Sequence, residues 1–165
     1  MTVGGCPKWL KPGCSGVESV DINAVLEQEW PYLSVTQYSI TSPHSPSYIC
    51  LALAIVVDNR WWSPLPEDDY YWPEGVPREV SVTAFTKAYA TLGFSVCETS
   101  ELEPNVEKIA IYVTSDGKPQ HVARQLSNGL WASKLGRVED IEHELLGLSG
   151  KLYGLPQVFM ARRAM

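Results

Sequence analysis

Four cysteines and three histidines are the scarce reactive side chains of this 165-residue chain, and their sequence surroundings differ. Cys50 follows the turn-rich stretch Ser42-Pro43-His44-Ser45-Pro46-Ser47 and is the third residue of an apolar run that begins at Tyr48. A helix starting there would set unpaired amides and the positive end of its dipole beside the thiol, which favours the thiolate. A thiolate nucleophile needs a base within hydrogen-bond reach. His121 is the candidate, because it opens the alternating segment His121-Val122-Ala123-Arg124-Gln125-Leu126 just after Gly117-Lys118-Pro119-Gln120. A third polar group must then hold the imidazole in its useful tautomer. Ser133 and Lys134 both fall on the next segment, and adjacent strand positions face opposite ways, so only one of the two can serve. With a hairpin turn on Asn128-Gly129, His121 faces about Gly136, and Lys134 is its diagonal neighbour. The chemistry open to such a set is nucleophilic attack on an acyl, amide or ester carbon of a small-molecule or peptide-like substrate. Hydrolysis, acyl transfer and cyclisation share this machinery. Free cysteine is also among the most buried residue types. The alternative is therefore a catalytically inactive module that binds a ligand or protein on the same scaffold.

The other reactive residues have plainer readings. Cys6 and Cys14 sit in a Gly/Pro-rich leader, and the absence of any Cys-x-x-Cys or His-x-x-x-His pair argues against a zinc site, so no metal or cofactor is expected. His143, within Glu139-Asp140-Ile141-Glu142-His143, reads as part of a solvated helix face. Asp68-Asp69 reads as a solvated loop pair. Trp61, Trp62, Tyr71 and Trp72 could stack on a substrate or on one another as a core plug, and burial of so many rings favours the plug.

These side chains require a frame. Residues 1–18 read as a flexible leader, and residues 19–165 as one domain. A short helix begins after Asp21 and stops at Pro31; Tyr38 to Thr41 is a short strand. Tyr48 to Val57 is apolar all round and reads as a buried central helix, with Ile55-Val56-Val57 open to a strand reading. Ser81 to Leu92 is a capped helix stopped by Gly93. After it the period changes to two, with strands at Phe94 to Cys97, Lys108 to Thr114, Gln120 to Leu126 and Leu130 to Lys134. Asp116-Gly117 and Asn128-Gly129 mark hairpins between them. Asp140 to Leu148 reads as a short helix and Gln157 to Arg162 as a closing strand. The fold class is α+β: a helical first half and an antiparallel sheet after it.

Composition bounds the rest. The chain is 45% hydrophobic and 19% charged, which suits a packed interior. Its formal net charge of -6, from 13 Lys+Arg and 19 Asp+Glu, argues against capture of nucleic acid or an anionic membrane surface. No apolar run nears the roughly 20 residues that span a bilayer. The first residues resemble no secretory signal, so the cytoplasm is the default compartment.

The order of motifs also resembles an uncharacterised bacterial family, a domain of unknown function, over roughly residues 35 to 163. The likeness is carried by Tyr48-Ile49-Cys50-Leu51-Ala52-Leu53-Ala54, Arg60-Trp61-Trp62-Ser63-Pro64 and Trp72-Pro73-Glu74-Gly75. It continues in His121-Val122-Ala123-Arg124-Gln125 and Ser133-Lys134-Leu135-Gly136. More remotely the order is similar to papain-like and NlpC/P60-like cysteine hydrolases. That similarity implies a buried Cys-bearing helix packed on an antiparallel sheet. It also implies Cys50 as nucleophile, His121 as base, and Ser133 or Lys134 in the third place. Ile49 stands where the resembled family carries Asn, which removes a polar neighbour from Cys50.

Overall fold

The computed structural model of the chain describes residues 21–42, 62–65, 70–135 and 140–164. Helix α1 spans Ile22–Glu29; the Asp21 carboxylate accepts from the Asn23 amide at 3.0 Å and satisfies one orphan donor of the first turn. Pro31 cannot continue that helix, and the chain tightens into a 3-10 turn over Pro31–Val35. Helix α2 spans Val82–Ala90, with the Ser81 hydroxyl accepting from the Ala84 amide at 3.0 Å and Gly93 turning the chain at φ +88°.

The strands are β1 (Tyr38–Ser42), β2 (Ser95–Cys97), β3 (Val106–Val113), β4 (Pro119–Gln125), β5 (Trp131–Lys134), β6 (Asp140–His143) and β7 (Leu155–Arg163). They form one sheet in the order β1-β6-β5-β4-β3-β7-β2, with every neighbouring pair antiparallel. Gly117 (φ +81°) and Gly129 (φ +86°) make the tight turns that join β3 to β4 and β4 to β5.

This architecture overturns the expected papain-like α+β fold of a buried Cys-bearing helix packed on a sheet. The described residues are dominated by the seven-stranded sheet, and their two helices have only eight and nine residues. The apolar run from Tyr48 to Val57, Cys50 included, lies outside the described residues, as does the 1–18 leader. The expected helix over Asp140 to Leu148 is also corrected. Its first half is β6, hydrogen-bonded between β1 and β5, and only Leu145–Leu148 turns, as a 3-10 segment. Pairing on both sides overrides the local helical preference of Asp-Ile-Glu-His.

Both sheet faces are covered, which explains why Ile109, Ala110, Ile111 and Tyr112 are each 0% exposed. On one face Ile109, Ile111, Val113, Val122 and Met160 pack against α2 and the ring cluster of Trp62 and Trp72. On the other, Ala110, Tyr112, Ala123, Trp131 and Ile141 pack against Leu26, Trp30, Leu33 and Leu148. Among the described residues no helix is long and apolar enough to cross a membrane.

Candidate functional site

The polar centre of the molecule lies on the second of these faces, across the three adjacent strands β4, β5 and β6. Strand alternation puts His121 and Ala123 on that side and Val122 and Arg124 on the other. The β4–β5 ladder pairs Arg124 with Ala132 and Gln125 with Trp131, one residue short of the register expected from the Asn128-Gly129 turn. A one-residue slip exchanges faces. Ser133 therefore shares the side of His121, and Lys134 points away.

His121 Nε2 lies 2.8 Å from Ser133 Oγ, and the same oxygen lies 2.7 Å from His143 Nε2. His143 Nδ1 donates in turn to the backbone carbonyl of Glu144 at 2.7 Å. All three side chains are sealed, at 1%, 0% and 0% exposure for His121, Ser133 and His143. Burial pushes the His121 imidazole down to about 3, helped by the neighbouring His143 charge. It pushes His143 down to about 4, against the raising effect of the Glu144 carbonyl. Both rings are neutral at physiological pH.

Aromatic walls fix the His121 ring. Tyr153 stacks on it at 4.3 Å between centroids and 7° between planes, and Tyr112 meets it edge-on at 5.4 Å. Trp30 lies against Tyr153 at 5.4 Å. Tyr153 is delivered by the turn bridged between Gly150 and Gly154. Gly154 has φ +77°, and a Cβ there would sit 2.0 Å from the Val113 carbonyl oxygen, so the close approach needs glycine. His121 Nδ1 is buried and has no hydrogen-bond partner among the described residues. The arrangement is a clamped imidazole, with one nitrogen tethered and the other open.

The remaining sequence candidates fall elsewhere. Lys134 is fully buried on the opposite face, with Nζ 3.3 Å from the Asp140 carboxylate across the β5–β6 ladder. Trp62 and Trp72, 2% and 6% exposed, pack with Tyr71 against α2: Trp62 lies 5.0 Å from Tyr71 and stacks at 6.3 Å on Tyr89, and Trp72 Nε1 donates to the Pro77 carbonyl. Cys50 and Trp61 lie outside the described residues. His143 carries no site signal in the sequence, because the Asp-Ile-Glu-His stretch fits a solvated helix face. Ladder pairing to β1 and β5 makes that stretch a strand, with Ile141 and His143 on the buried side of Glu142. Tyr153 carried no sequence signal beyond its flanking glycines. Among the described residues no three His, Cys, Asp or Glu side chains converge as metal ligands.

The family model of a domain of unknown function, DUF7689, matches residues 39–161. The chain belongs to that family. The match takes in the site strands β4, β5 and β6 and the segment that holds Cys50. No curated protein and no solved structure matches this DUF7689 chain.

Proposed function

We propose that this DUF7689 domain carries out acyl chemistry, with Cys50 as nucleophile and His121 as base. The observation that supports this reading most directly is the His121 ring itself, held at Nε2 by Ser133 and walled by Tyr153 while its buried Nδ1 has no partner among the described residues. A base needs one nitrogen oriented and the other available.

In the reaction, His121 Nδ1 takes the thiol proton as Cys50 sulfur bonds to the acyl carbon. The protonated ring then gives that proton to the leaving amine or alkoxide as its bond to carbon breaks. Water or an amine attacking the thioester, with the same proton transfers in reverse, regenerates the thiol. An anionic sulfur beside the ring stabilises the imidazolium, so a base that is neutral at rest gains basicity when its partner ionises. Ser133 keeps the ring in place. Lys134, on the far side of the sheet, takes no part in this unit. The substrate class is small-molecule or peptide-like, and hydrolysis, transfer and cyclisation are equally served.

A second reading, a catalytically inactive binding module, draws on the complete burial of the His121, Ser133 and His143 side chains. Hydrogen-bonded groups so well sealed also serve to specify a core. Alkylation separates the two. In iodoacetamide at pH 6 to 7, an activated thiol gives preferential labelling of Cys50 over Cys6, Cys14 and Cys97, located by mass spectrometry, and His121→Ala abolishes the preference. Labelling of the other cysteines with Cys50 spared overturns the catalytic reading.

A further inference from the structure

The hydrogen-bond chain from Glu144 to His121 has one end that cannot reverse. A backbone carbonyl carries no proton, so His143 Nδ1 must supply the one in its 2.7 Å contact with Glu144. A neutral His143 then has a bare Nε2, which can only accept. Ser133 must donate its single hydroxyl proton there, across 2.7 Å. With that proton committed, the 2.8 Å contact between Ser133 Oγ and His121 Nε2 needs its proton from the histidine. Neutral His121 is thereby left with its proton on Nε2 and a lone pair on Nδ1.

We propose that His143 is the positioning residue of this site: acting through Ser133, it fixes the His121 proton on Nε2 and keeps Nδ1 free to accept one. Its catalytic meaning rests on the proposed Cys50–His121 chemistry; the proton order does not. The surroundings support neutrality of both rings. Among the described residues the ion pairs run through Lys108, Lys134 and Arg162, and none reaches either histidine. Tyr38 stands opposite His143 in the β1–β6 register and Tyr112 touches His121. Both are phenols held protonated, Tyr38 pushed up to about 12 and Tyr112 higher still, mainly by burial. Among the described residues the glutamate carboxylate bound to this cluster is that of Glu27 on α1, which accepts from the Tyr38 hydroxyl. Glu144 offers His143 its carbonyl, not its carboxylate.

Long-range proton–nitrogen correlation spectra of the full chain, labelled with nitrogen-15 at histidine, read the tautomers directly at pH 7. The expected result is a pair of opposite tautomers, His121 protonated at Nε2 and His143 at Nδ1. In Ser133→Ala and His143→Phe, the His121 nitrogen resonances should move toward the averaged positions of an unconstrained imidazole. Ser133→Thr, which restores a hydroxyl, should return them. A wild-type His121 protonated at Nδ1 overturns the proposal, and so does an unchanged Nε2 tautomer in a folded Ser133→Ala or His143→Phe protein. Where neither variant folds, the wild-type tautomers decide alone. Opposite tautomers with an unreactive Cys50 would remove the acyl-transfer reading and leave the proton order standing.

Discussion

Two neutral imidazoles joined by one hydroxyl make the interior sensitive to acid. Each ring titrates near 6.5 when the chain is unfolded, and in the fold burial holds His143 at about 4 and His121 at about 3. Between those limits the unfolded chain binds protons that the folded one refuses, so stability is full above pH 6.5 and falls as pH drops toward 4. The slope is about 1.4 kcal/mol per pH unit for each histidine. Urea midpoints measured from pH 7.5 to pH 4.5 should decline accordingly, and a double variant with both rings replaced by phenylalanine should flatten the part of the curve that lies above the carboxylate range. A wild-type profile that is level from pH 7 to 5 would show that the rings titrate normally. The strands that carry His121 and Ser133 are readable from sequence because turn signals and an alternating pattern flank them. The strand of His143 is not, because four residues fit a helical and a strand period equally well, and only pairing to β1 and β5 selects the extended form.

At the scale of elements, the hairpin turns were legible and the exact register was not. A single residue of slip between β4 and β5 decides whether Ser133 or Lys134 meets His121, and turn residues locate a hairpin without fixing that register. The segment between β2 and β3 shows what else sequence conceals. Residues 98–105 have no regular structure, yet the Lys108 ammonium, on a residue 1% exposed, donates to the carbonyls of Thr99 at 3.1 Å and Glu101 at 2.7 Å. It also donates to the Glu103 carboxylate at 2.6 Å. Gln125 on β4 adds a bond to the Ser100 carbonyl at 2.7 Å. A strand lysine thus supplies, from its side chain, the hydrogen bonds that the loop backbone does not make to itself. Lys108→Met keeps the length and removes the donors, stranding acceptors at about 1–3 kcal/mol each. The expected outcome is a loss of about 2–3 kcal/mol in urea unfolding, with amide exchange accelerated most between residues 99 and 103. Uniform acceleration across the sheet, or none, would refute a loop-specific role.

For the whole molecule, the decisive property is a sheet covered on both faces by elements too short to fold alone. Ile109-Ala110-Ile111-Tyr112-Val113 is buried residue after residue, which departs from the period of two expected for this strand, since a strand with one wet face would alternate. What sequence does not supply is which segment covers which face, because an apolar stripe on a short helix fits either. The structure sets α2 and the aromatic cluster on one side and the histidine relay on the other. The aromatic cluster therefore bears on stability: Trp72 meets Phe85 at 5.7 Å and Trp62 at 6.4 Å, and its indole nitrogen ties the loop to Pro77 at 3.0 Å. Removing a ring so enclosed leaves a cavity as well as lost burial, about 3–5 kcal/mol for Trp72→Ala. An aromatic at an exposed substrate lip would cost within about 0.5 kcal/mol. Urea unfolding of Trp72→Ala discriminates the two. The histidine tautomers give the complementary reading: because the sheet separates the two packed faces, a variant still folded at low denaturant should keep the His121 proton on Nε2. A small stability loss would return Trp72 to the substrate side of the ledger, and a lost tautomer would mean that the two faces act as one core.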